Sequence, residues 1–287
     1  MTMIRTERSQ AGSADTLKAR YLAVLANIDS AARRSGRTGK DILLVAVSKY
    51  TGLDQIRELV QLGHRDFGEN HAQQLSQRAL MMAEWLQRQK GIIVPPVRHA
   101  APGSPASVVA ATGGIRWHMI GHLQRNKVRK VLDVSRLIHS VDTLRIGEEI
   151  QQAAARQEQT VDILLQVNCS GEKSKFGCSI PAALHLAEQL DTMVGVRVRG
   201  LMTMAPHSDN AEDSRPTFAR CRDLFEEALK AGIGGPHFNI LSMGMSGDFE
   251  VAIAEGANMV RVGSTIFGPP VPGSEETMVD EQDDGRD

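Results

Sequence analysis

Residues 42–49 read ILLVAVSK, an apolar run rich in branched side chains with no polar member before Ser48. A strand with one wet face alternates apolar and polar residues. An unbroken run is how a parallel strand reads when helices cover both of its faces. Outward from it, short apolar runs alternate with longer amphipathic ones. The spacing predicts strands at 42–48, 65–68, 116–121, 137–141, 162–167, 196–203, 237–241 and 258–262. Helical periodicity lies between them, for example at 54–62, 143–156, 181–190, 211–231 and 246–255, several stretches opening on Ser, Thr, Asp or Pro. Strand and helix in alternation imply a parallel sheet, and eight such units within 42–268 fit a closed (β/α)8 TIM barrel in a single domain. A doubly wound open sheet is the alternative, but no strand is followed by the G-x-G-x-x-G turn of a dinucleotide site. Before the first strand, Leu17, Tyr21, Val24, Leu25 and Ile28 form one stripe, predicting an extra N-terminal helix from a cap at Asp15 to about Arg34.

The chain has 287 residues, 41% hydrophobic and 23% charged, with 33 Lys plus Arg against 34 Asp plus Glu. That balance argues against nucleic-acid or membrane-surface binding. No stretch has the roughly 18 to 20 uninterrupted apolar residues of a spanning helix, and the first residues lack a secretory apolar run. A cytoplasmic protein is expected. Cys169, Cys178 and Cys221 are odd in number and show no Cys-x-x-Cys spacing, which disfavours a disulfide framework or zinc knuckle. Residues 1–13 and the acidic 269–287 read as disordered tails around a barrel at 14–268. Residues 87–115, with four prolines and a Gly-Gly pair, read as an inserted surface loop.

Lys49 stands at the carboxyl end of the first strand, which in a barrel is the active face. Position alone leaves two readings open: a Schiff-base amine, or a strand-end lysine reaching solvent. The C-terminal third bears on the choice. SMGMSGDFEVAIAEG follows the seventh strand, and Ser246 there is expected to cap a helix whose first N–H groups are free for an anion. VRVGSTIFG spans the eighth, offering Gly263 for close approach and the hydroxyls of Ser264 and Thr265. Paired turns after strands seven and eight are the phosphate pocket of this barrel. With Lys49 on the strand that adjoins the eighth, they describe a cofactor carrying a phosphate and an aldehyde, which pyridoxal 5'-phosphate fits. Arg261 alternates with Val260 and Val262, so it is expected to point into the barrel mouth towards the pyridine nitrogen, or else to pair with Glu69 or Glu255.

Several segments together resemble the pyridoxal phosphate homeostasis protein family (YggS/PROSC type) from about residue 14 to 268. They are AVSKY around Lys49, FGEN at 67–70, WHMIGHLQRNK at 117–127, HSVD at 139–142, NCSGEKSKFG at 168–177, GLMTMAP at 200–206 and the two C-terminal turns. The resemblance implies a fold type III barrel related to the N-terminal domain of alanine racemase, with the cofactor held on Lys49 as a Schiff base. It further implies that Ser246, Gly263 and Ser264 hold the phosphate, that Arg261 sits by the pyridine nitrogen, and that Asn70 and Met243 line the ring. Gly247 departs from the family, where an acidic residue is common.

Two functions follow as expectations. One is a binder that buffers or delivers the cofactor without turnover, as a monomer, with pyridoxal-phosphate-dependent apoenzymes as its protein partners. The other is an enzyme, either an amino-acid racemase or a class I aldolase. Racemisation needs acid/base groups on both faces of the cofactor; the racemase fold supplies a tyrosine with a second domain, and only 19 residues follow Gly268 here. The binder is the expected function. His118 and His122 do not read as sharing a helix face, so no metal is expected. Arg125, Lys127, Arg129 and Lys130 read as a solvated helix face rather than an RNA or phosphate site. Lys173 and Lys175 are expected near the mouth, as guards or in ion pairs.

Overall fold

A computed structural model describes residues 15–90, 114–172 and 175–269. Eight parallel strands close on themselves: β1 (Leu43–Val47), β2 (Asp66–Glu69), β3 (Arg116–Met119), β4 (Ser135–Val141), β5 (Val161–Asn168), β7 (Val196–Met202), β8 (Ile240–Ser242) and β9 (Met259–Val262). β4 pairs β5 and β9 returns to β1, so the ring has no free edge. A ninth strand that periodicity did not reveal, β6 (Cys178–Ser179), lies beside the end of β5, with Cys178 opposite Val167. It forms where the 168–177 segment folds back; two residues are too few to show a period.

Alternation along the strands divides the side chains between two cores. Val45, Leu137, Leu164, Met202 and Met259 fill the barrel interior. Leu44, Ala46, Val260 and Val262 face the other way, into the apolar layer under the helices. That layer includes α1 (Leu17–Arg34), α2 (Leu53–Gln61), α3 (Ala72–Lys90), α4 (Val128–Leu132), α5 (Leu144–Arg156), α6 (Ile180–Asp191), α7 (Arg215–Lys230), α8 (Phe249–Ala254) and α9 (Ser264–Phe267).

Several local details differ from the sequence expectation. The cap of α1 is Thr16, whose hydroxyl accepts from the Ala19 N–H, while Asp15 pairs with Arg20 at 2.7 Å. Helix α3 runs on to Lys90, inside the stretch read as loop, because the apolar face through Met82, Trp85 and Leu86 carries the helix past residue 87; 91–113 lie outside the described residues. The seventh predicted strand, 237–241, is displaced: a 3-10 turn, Gly235–His237, takes its first residue, and the strand proper is Ile240–Ser242. The helix expected from Ser246 starts at Phe249, with Asp248 as its N-cap residue.

Helix α1 packs on α8 and α9. The Arg20 Nε–H donates to the Ile266 carbonyl at 2.8 Å, and Arg37 donates to the Ala257 carbonyl at 2.8 Å. The N-terminal segment is thereby tied to α9, which follows β9, and to the loop that leads from α8 into β9. Among the described residues, no helix is long and apolar enough to cross a membrane.

Candidate functional site

The inward positions of β1 are Leu43, Val45 and Val47, and the same phase brings Lys49 out at the rim. Its turn is braced from beneath. The Ser48 hydroxyl donates to Glu69 Oε1 at 2.5 Å, and Arg78 donates to the same oxygen at 2.5 Å, to the Thr51 carbonyl at 2.8 Å and to the Ser48 carbonyl. Glu69 is 0% exposed, and its Oε2 has no hydrogen-bond partner among the described residues. Burial pushes the Glu69 carboxyl up, with Arg78 pulling against it. Above this brace the Lys49 ammonium lies 4.8 Å from the centroid of the Tyr50 ring.

Lys49 opens into a cavity of about 770 Å³ at the carboxyl ends of the strands, the face where barrels of this type carry their sites. Asn70, Arg261, Ser246, Gly263 and Ser264 line the same cavity. Met243 does not. It is 0% exposed and packs in the helix-side core, because Ser242 takes the inward position next to it; Met204 and Met245 are the methionines at the cavity. Tyr50 and Thr265 also line it.

The two turns after β8 and β9 are joined through one hydroxyl. Ser246 Oγ accepts from the Gly263 N–H at 3.1 Å and from the Thr265 N–H at 3.5 Å. Ser246 is thus a link between turns; Asp248 stands at the N-cap position of α8 without a side-chain capping bond, its Oδ1 accepting instead from the Met245 N–H ahead of the helix at 2.6 Å. Gly263 lies so close to β1 that a Cβ there would meet the Val47 carbonyl oxygen at 3.1 Å. The Gly263 and Thr265 N–H groups are thus engaged on Ser246 Oγ and the Thr265 hydroxyl on the Ser246 carbonyl, which leaves the hydroxyls of Ser246 and Ser264 at this end of the cavity as donors suited to an anion.

Arg261 is 4% exposed and pairs with neither Glu69 nor Glu255. Glu255 is taken by Arg215 and Arg222, each at 2.6 Å. Arg261 donates instead to Ser242 Oγ at 2.7 Å and to the Thr203 carbonyl at 2.9 Å. Burial lowers its guanidinium to about 10, with Asp248 opposing, so it is still cationic at neutral pH. Two contacts leave guanidinium N–H groups unspent, and a buried cation with donors remaining can meet a neutral acceptor in the cavity.

The two histidines separate. His118 is buried inside the barrel, while His122 stacks on Phe176 at the rim, ring centroids 4.6 Å apart. Lys175 donates to the Ala205 carbonyl at 2.6 Å and lies 3.4 Å from Glu172; Lys173 falls outside the described residues. Arg125, Arg129 and Lys130 are exposed around the start of α4.

Residues 20–270 match the family model of the alanine racemase N-terminal domain. The chain is 34% identical over 246 residues to the pyridoxal phosphate homeostasis protein of Aquifex aeolicus, covering 85% of this chain and 94% of that one. Its structure is similar to that of an unknown protein from Bifidobacterium adolescentis, with a TM-score of 0.75 and 35% identity over 88% of this chain and 94% of the other. PipY of Synechococcus elongatus, solved with PLP bound, gives a TM-score of 0.66 at 27% identity, covering 88% of this chain and all of PipY.

Proposed function

Since this chain belongs to the pyridoxal phosphate homeostasis protein family, we propose that the cavity at its barrel mouth is where the cofactor is held. The protein binds pyridoxal 5'-phosphate and serves its homeostasis, as a binder without turnover. The observation that supports this site is the convergence of Lys49, Arg261 and the Ser246–Gly263–Ser264 turns on one cavity. Their chemistry fits the group: a primary amine for its aldehyde, hydroxyls for its phosphate, and a cation for its ring nitrogen. When bound, the cofactor supplies an aldehyde that condenses with a primary amine and releases water.

Lys49 offers that amine from a turn fixed by Arg78 and Glu69. Ser246, Gly263 and Ser264 orient the phosphate, and Asn70 flanks the ring. Arg261, kept charged, donates to the ring nitrogen and so leaves it without a proton, which weakens the ring as an electron sink. Neither tyrosine offers a second acid/base group. Tyr50 adjoins Lys49, and the Tyr21 hydroxyl is engaged with His64 Nδ1 at 3.3 Å. We read the protein as a cytoplasmic monomer that passes the cofactor to apoenzymes using the same group.

Titration of the purified full-length chain with pyridoxal phosphate, followed by absorbance, tests this reading. A visible band that persists through gel filtration is the expected result. Protein that stays colourless overturns it.

A further inference from the structure

Beneath the cavity, five side chains from five strands form an unbroken hydrogen-bonded line across the barrel. Arg261 Nη1 donates to Ser242 Oγ at 2.7 Å; Ser242 Oγ lies 3.2 Å from His139 Nδ1; His139 Nε2 lies 2.9 Å from His118 Nδ1; and His118 Nε2 lies 3.2 Å from Asp66 Oδ1. All five are buried. Anchoring amine, aldehyde and phosphate uses none of the four beyond Arg261.

The ends of the line fix the hydrogens within it. Arg261 is a donor only, so Ser242 accepts from it and has its single hydroxyl hydrogen to pass on. The Asp66 carboxylate is held by Arg116 at 2.7 Å and 2.5 Å. Against the cost of its burial, hydrogen bonds from His118 and Arg116 keep its pKa below the usual carboxylate range, so it is an acceptor only. With both imidazoles neutral, one order between this pure donor and this pure acceptor satisfies every contact. Ser242 donates to His139 Nδ1, His139 Nε2–H donates to His118 Nδ1, and His118 Nε2–H donates to Asp66. Both rings then carry their proton on Nε2.

We propose that Ser242, His139 and His118 are positioning residues for Arg261, forming a one-way donor chain to Asp66 that orients the guanidinium at the cavity floor and directs every relay hydrogen away from the cofactor ring. Burial, with the His118 ring and then the Arg261 guanidinium nearby, lowers the His139 pKa well below the ordinary imidazole value, in keeping with a neutral ring at His139. The link to the ring rests on the assignment of Arg261 above; the donor order does not. Packing alone would fill the same space without selecting a tautomer.

Nitrogen NMR of the unliganded full-length chain, isotope-labelled at histidine, reads the tautomers directly at neutral pH. The expected result is Nε2–H on both His118 and His139; a doubly protonated ring or an Nδ1–H tautomer at either position overturns the donor order. Ser242→Ala removes one oxygen and little volume. It is expected to release His139 from its single tautomer and, in the cofactor-loaded protein, to shift the visible band and speed cofactor loss roughly tenfold. A tautomer and band identical to wild type would sink the positioning role. If Ser242→Ala does not fold, Ser242→Cys, with a weak S–H donor, is read by the same two signals and the same outcomes. Wild-type protein that never colours refutes the cofactor assignment and with it the ring-directed role, while the tautomer result still decides the donor order.

Discussion

Arg261 lies opposite Val45 in the parallel register of β9 on β1, so Arg261 and Lys49 rise from adjacent strands into the same cavity, the lysine four residues further along its strand. The cation is low and buried, and the amine is high and half-exposed. A ligand that engages both must span the wall between these strands.

Lys49→Ala removes the amine while leaving its brace in place, because Arg78 grips backbone carbonyls and Glu69 rather than the lysine. The visible band should vanish with no change in far-UV circular dichroism. Borohydride reduction of wild type followed by peptide mapping should place the pyridoxyl group on Lys49; an adduct confined to Lys127 or Lys173 would refute the choice of lysine.

Ser246→Ala with Ser264→Ala deletes two hydroxyls but keeps the N–H groups of Gly263 and Thr265. A hydrogen bond to a charged group is worth about 1.5 to 3 kcal/mol, so cofactor affinity should fall at least tenfold and not vanish. Equilibrium dialysis measures it, and an unchanged affinity would move the phosphate elsewhere.

Arg78→Ala strands the buried Glu69 carboxylate. Removing one partner of a buried pair costs about 3 to 5 kcal/mol, which a urea midpoint will show. Adding Glu69→Gln to that variant takes away the uncompensated charge and should recover a good part of the loss. Equal midpoints for Arg78→Ala and wild type would mean that the brace contributes nothing.

Burial keeps His139 neutral in the fold, so its pKa there is lower than in the unfolded chain. The unfolded chain takes up the proton more readily. The stability gained from neutral His139 is therefore complete above pH 6.5 and is lost as pH falls below it. His139→Leu should make the acid-side slope of unfolding free energy shallower, by at most one proton or about 1.4 kcal/mol per pH unit. Parallel slopes for the two proteins would show that His139 does not titrate between folded and unfolded states.

Racemisation should stay at background, since neither Tyr21 nor Tyr50 stands opposite Lys49 across the cavity. Alanine incubated in deuterated solvent with loaded protein reads this by α-proton exchange and chiral chromatography. Racemisation at about 1 per second or faster would reverse the non-catalytic reading.

Alternation made much of this site legible. ILLVAVSK announced a strand covered on both sides, and counting in twos from it puts Lys49 at the rim; the same count sends Arg261 inward between two valines. Met243 rests on family resemblance alone, and the same count places it in the helix-side core, since Ser242 is inward. Ser246 was legible as a turn residue but not as the link to Gly263, because that bond spans two loops whose approach depends on the packing of β8 against β9. The relay was hidden for a similar reason. Asp66, His118, His139 and Ser242 each show the inward phase, yet their contacts exist only once five strands have closed into a ring.

The pairing of β9 with β1 also bears on the life of the molecule at the ribosome. Leu43 to Ala46 find their partners at Met259 to Val262, more than two hundred positions later, and Arg20 waits still longer for the carbonyl of Ile266. Contacts so distant along the chain form late. A nascent polypeptide that has already exposed Lys49 therefore has no wall beside it, no guanidinium beneath it and no anion turn above it, so capture of the cofactor must follow synthesis rather than accompany it.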